Sequence, residues 1–162
     1  LFNLPLDIIS ISLAHVILPS LSLLHGHGRL RFLGRMFGFA TLAILPVVAL
    51  ILLFADSIVS IVYQRGRFST EDAAIAAALF RSYSLALLPV SLCMVLNRGY
   101  FAARNYLVPF FAGLSAAAVQ FYLGARLVSA YGVPGIGYAA AAAYLTQMLI
   151  LLALLKPGLS RT

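Results

Sequence analysis

From Met36 to Ala55 the chain carries no charged side chain, which matches the ~20 apolar residues a helix needs to cross a bilayer. Four more stretches read the same way, at about 4–24, 73–96, 108–125 and 135–155. Hydrocarbon offers no water to a backbone amide or carbonyl, so a spanning segment must pair these groups within itself, as a helix does. A transmembrane barrel would show alternating segments of about ten residues, whereas these runs are continuous. Of the 162 residues, 63% are hydrophobic and 9% are charged, and mean hydropathy is +1.04. Soluble domains carry about a quarter charged residues. The fold class expected is therefore all-α and integral to the membrane, with about five transmembrane helices forming a single membrane domain over residues 1–162. The chain begins at Leu1, already inside an apolar stretch without a basic leader, and reads as a piece of a longer protein and not as a signal peptide.

Between the spans, polar stretches read as loops. His25-Gly26-His27-Gly28-Arg29 is expected to break the first helix, and Arg98 to Tyr106 to form the third loop. Gln64 to Asp72 is the most polar stretch; Ser69 or Thr70 suits a helix N-cap there, and Glu71 and Asp72 suit the positive end of the helix that follows. Tyr131-Gly132-Val133-Pro134-Gly135 has the punctuation of a turn. Gly34 and Gly38, and the all-small run from Ala139 to Ala143, suit close helix packing. Leu18-Pro19, Leu45-Pro46 and Leu88-Pro89 place prolines inside apolar runs, where each removes a helical hydrogen bond.

The net charge of +7 comes from arginines and lysine scattered between apolar runs, not from one basic patch, which argues against nucleic acid as a partner and for membrane lipids. Loops one and three and the C-terminal tail hold Arg29, Arg31, Arg35, Arg98, Arg104, Lys156 and Arg161; loops two and four hold Arg65, Arg67 and Arg126. Basic loops stay in the cytoplasm, so the expected topology has the N-terminus outside and the C-terminus inside. Cys93, the single cysteine, excludes an internal disulfide and reads as a small buried hydrophobe.

No catalytic motif is legible, and the sequence asks for no cofactor. His25 and His27 in a glycine loop are too few ligands for a metal site. Ionisable groups within a span are costly and mark cavities or partners. Asn3, Asp7 and Ser10 share one helical stripe, with His15 on an adjacent one. They line a water-filled cavity, or Asp7 meets water at the outer interface. Asp7 and His15 lie about 12 Å apart along a helix, too far for direct proton exchange. Arg81 either snorkels to the outer interface on its apolar stem or faces a cavity and attracts an anionic headgroup. Gln120 and Gln147 suit interhelical hydrogen bonds.

Several of these segments resemble, in order along the chain, the lipid II flippase family (MurJ/MviN). The resemblance is carried by Leu4-Pro5-Leu6 with Ile17-Leu18-Pro19-Ser20-Leu21-Ser22, by Leu45-Pro46, and by the loop from Tyr63 to Asp72. Arg81-Ser82-Tyr83-Ser84-Leu85, Tyr100-Phe101-Ala102-Ala103-Arg104-Asn105 with Pro109, and Gly135-Ile136-Gly137-Tyr138-Ala139 continue it. The resemblance implies the middle-to-late part of the second lobe of a two-lobe, MATE-like transporter. It implies alternating access for a lipid-linked precursor of the undecaprenyl-pyrophosphate type in the bacterial inner membrane, and the rest of the same polypeptide as partner. It also implies that the family's main cavity arginines lie outside this stretch. Asp7 stands where the family usually has a small residue, Met94 where many members have lysine, and Asn105 where aspartate is usual. A flippase for another lipid-linked oligosaccharide, or an ion-coupled exporter of small amphipathic cations with Asp7 as its carboxylate, is the alternative.

Overall fold

A computed structural model describes residues 27–63 and 70–155. They form four helices: α1 His27–Tyr63, α2 Thr70–Ala102, α3 Leu107–Tyr131 and α4 Gly135–Ala153. Each is long and apolar enough to span a bilayer. The first expected span, 4–24, lies outside the described residues.

The helices overrun the apolar windows of the sequence. At 37 residues, α1 is about 55 Å long against a hydrocarbon core of about 30 Å. It takes in Gly28 and Arg29, expected in a loop, at one end and Asp56 at the other. A glycine costs a helix about 1 kcal/mol but does not end it. Charged groups near the end of a span reach the interface while the backbone stays helical. Likewise α2 runs on through Arg98 to Ala102, so the expected third loop shrinks to a tight turn. That turn closes as a Schellman motif: Asn105 N–H donates to the Tyr100 carbonyl at 3.0 Å and Arg104 N–H to the Phe101 carbonyl at 3.0 Å. Arg104 takes the left-handed position, φ 53°, usually given to glycine. Asn105 then serves the next helix, its Oδ1 accepting from Val108 N–H at 3.4 Å, a role aspartate fills equally well. The turn expected between Tyr131 and Gly135 is present, with Gly132 at φ 67°. A Cβ on Gly135 would fall 2.3 Å from the Leu127 carbonyl oxygen.

α2 is the central helix, flanked by α1 and α4, while α3 packs mainly on α4. Leu33 of α1 meets Gly99 near the end of α2, and Asp56 of α1 meets Arg81 near its start, so α1 and α2 are antiparallel. Ser82 meets Gly137 and Tyr100 meets Leu151, so α2 and α4 are parallel. Leu33, Ala40, Ile44, Ile51, Ala55 and Val59 form one buried stripe of α1, while Phe39, Leu42, Leu50, Leu53 and Ile61 on its other faces are exposed. A helix apolar on every face is at home in lipid or beneath further helices. Gly34 and Gly38 are exposed, with nothing within 4 Å of an added Cβ. Among the described residues they are not a packing seam, because the buried stripe of α1 passes through Leu33 and Ala40 instead.

Candidate functional site

Among the described residues, the helices approach very closely at the seam of α2 and α4. A Cβ on Gly137 would lie 2.1 Å from Ser82 Oγ and 2.7 Å from the Ser82 carbonyl carbon, so only glycine lets the two backbones approach this closely. The expected alanine packing is present one turn on, where Ala86 meets Ala140 and Ala141. Further along, the buried Cys93 thiol lies 3.5 Å from the Tyr144 carbonyl. At the far end the fully buried Tyr100 hydroxyl donates to the Leu151 carbonyl at 2.7 Å. That carbonyl belongs to the last turn of α4, where helix carbonyls lack partners in their own helix. The buried serines of α2 satisfy themselves locally: Ser82, Ser84 and Ser91 donate to the carbonyls of Leu79, Arg81 and Leu87 at 2.9, 2.7 and 2.7 Å.

Because α2 and α3 barely touch, a cavity of about 310 Å³ opens between them over α4. Tyr83 of α2, Gln120 of α3 and Tyr144 and Gln147 of α4 supply its polar wall; Gly113, Ala116 and Ala143 are among the small residues that make room. Among the described residues no charged side chain lines it. Such a wall can hydrogen-bond water or a neutral polar group but cannot neutralise a pyrophosphate, which needs cations. Gln120 and Gln147, expected to join helices by hydrogen bonds, thus share one polar space.

The polar stripe of Asn3, Asp7, Ser10 and His15 lies outside the described residues. Arg81 is described: its Nη2 donates to Asp56 Oδ2 across the α1–α2 pair, with the side chains 41% and 67% exposed. The apolar window of the second span ends at Ala55, one residue short of Asp56. The pairing was not legible because the partners sit on different helices. The antiparallel packing also gathers Arg31 and Arg35, early in α1, at the same end of the bundle as Arg98 and Arg104. Asp56, Asp72, Arg81 and Arg126 sit toward the opposite end. Asn97 Oδ1 is buried without a partner among the described residues.

A family model described as lipid II flippase MurJ matches residues 1–161. The chain belongs to the lipid II flippase MurJ family. Its curated relatives include probable lipid II flippases MurJ of Bdellovibrio bacteriovorus and Thermotoga maritima, each 30% identical. These alignments cover 98% and 99% of this chain, and 32% and 34% of the relatives. The chain therefore spans about a third of the length of the MurJ relatives it matches. A solved structure of lipid II flippase MurJ in an inward closed conformation superposes with a TM-score of 0.82 over 96% of this chain and 33% of that one. At 22% identity that likeness speaks for a common fold.

Proposed function

We propose that the chain is the membrane segment of a flippase that carries a lipid-linked cell-wall precursor, of the undecaprenyl-pyrophosphate type, from the inner to the outer leaflet of the bacterial cytoplasmic membrane. The observation that carries this reading is membership of the MurJ family along the whole chain. Transport by alternating access moves a bound molecule between two openings and requires no bond to be made. The work of this segment is structural and polar. The glycine–serine seam holds α2 and α4 in register, and the charge-free cavity beside it gives a polar interior. Cations for the pyrophosphate come, in this reading, from outside this lining, above all from the rest of the same polypeptide. In this reading Asn3, Asp7, Ser10 and His15 hydrogen-bond the headgroup or couple an ion, while Arg81 serves the bundle by pairing with Asp56.

The gathered arginines support an orientation. In this reading the end bearing Arg31, Arg35, Arg98 and Arg104 is the cytoplasmic one, which agrees with an N-terminus outside and a C-terminus inside.

Complementation tests the reading. The full-length parent gene, expressed in cells depleted of their own flippase, is expected to restore growth and wall synthesis. Resistance to amphipathic cations without restored wall synthesis would select an exporter instead. Full activity of the Asp7→Ala variant would remove that carboxylate from the mechanism.

A further inference from the structure

Two prolines from separate helices lie at one depth of the bundle. Ile44 and Ile51 of α1, with Val47 and Val48 beside them, pack against Leu87, Leu88 and Val90 of α2. In sequence Pro46 stands between Ile44 and Val47, at an exposed position of α1, and Pro89 between Leu88 and Val90, at a buried position of α2. Neither proline has an N–H to give, so the carbonyls of Leu42 and Leu85 lose their partners in the helix. A second weakness lies close to each. Thr41 Oγ1 donates to the Phe37 carbonyl at 2.9 Å and Ser91 Oγ to the Leu87 carbonyl at 2.7 Å, a back-bonding that bends helices.

On either side of this level the pair is tied. Toward one end Leu33 lies against Gly99, where a Cβ would come within 2.6 Å of its side chain, inside a cluster with Ala40, Leu92 and Val95. Toward the other end stands the Arg81–Asp56 ion pair. α4 has no internal proline, and near this level it meets α2 through Ala140 and Ala141. Tyr144 of α4 packs beside them against both helices' clusters.

We propose that Pro46 and Pro89 form one shared hinge. About it the half of the α1–α2 pair carrying Asp56 and Arg81 pivots as a single body against the half carrying Leu33 and Gly99. Hinge closure of this kind is one of the ordinary ways a protein switches between states. Its use in transport rests on the flippase reading; the hinge does not.

The test uses the full-length parent protein in lipid nanodiscs, with spin labels at the exposed positions Phe39 and Ile61, one on each side of Pro46 and about 33 Å apart along α1. The wild-type protein is expected to give two distance populations, or one broad one. Pro46→Ala is expected to abolish the second population. Pro89→Ala is expected to do the same, although both labels are on α1. The milder pair Thr41→Val and Ser91→Ala should narrow the distribution in the same direction, which keeps the test available if a proline variant fails to fold. A single narrow peak in the wild type overturns the hinge, as does an α1 distribution that Pro89→Ala leaves unchanged. If the distances behave as expected but the protein moves no precursor, the flippase reading fails and the hinge stands.

Discussion

α1 and α2 are both apolar and both long enough to span, yet 61% of the apolar window of α2 is buried inside the bundle against 17% for α1. Their compositions explain the difference. α2 brings serines, alanines and a glycine to the interior: Ser82, Ser84, Ala86, Ser91 and Gly99 are all buried. α1 instead presents leucines and phenylalanines outward. In water, hydrophobicity decides which face goes inside. In a bilayer lipid is as apolar as leucine, so helices sort by how closely their backbones can approach and by internal hydrogen bonds. Among the described residues small side chains mark the α2–α4 seam, while large apolar ones fill the rest of the interior as well as the outer faces.

The sharpest way to break that contrast is to add bulk to the same residue type on the two helices. Gly137→Leu drives a side chain into Ser82, and thermal unfolding of the full-length protein in detergent should show a loss of about 3 kcal/mol or failure to assemble. Gly38→Leu on α1 meets no described residue and should change stability by less than about 0.5 kcal/mol. Equal effects would dissolve the distinction between the helices. A smaller loss is expected at the far end of the seam: Tyr100→Phe leaves the Leu151 carbonyl without its donor and should cost about 1.5 kcal/mol in the same assay. A weaker loss again is expected on α1. Asp56→Asn breaks an ion pair whose partners are both substantially exposed, so it should cost no more than about 1 kcal/mol and less still as salt is raised.

This contrast also shows what the sequence could convey. Apolar run length gave the helical membrane class, and Pro134 and Gly135 with Gly132 marked the α3–α4 turn. The run from Ala139 to Ala143 pointed to the seam, because small residues announce close approach whatever they meet. Gly34 and Gly38 carried the same signal, yet no described residue covers them, since whether a glycine stripe is covered depends on tertiary packing. The end of α2 was illegible for another reason. Its Schellman turn puts arginine, not glycine, at the left-handed position, so the usual stop signal is missing at Arg104. The cavity needed three helices to bring Tyr83, Gln120, Tyr144 and Gln147 together, and nothing in the spacing of those residues predicts it.

The central claim is that this segment belongs to a protein that moves a lipid-linked precursor between leaflets. The most direct measurement is the fraction of that precursor reached by an impermeant enzyme added outside cells depleted of their own flippase and carrying the full-length parent gene. The account predicts that the outer-leaflet fraction rises to that of undepleted cells, and that Gly137→Leu abolishes the rise. An outer-leaflet fraction no higher than in depleted cells with an empty vector, although the wild-type protein is present in the membrane, would contradict it.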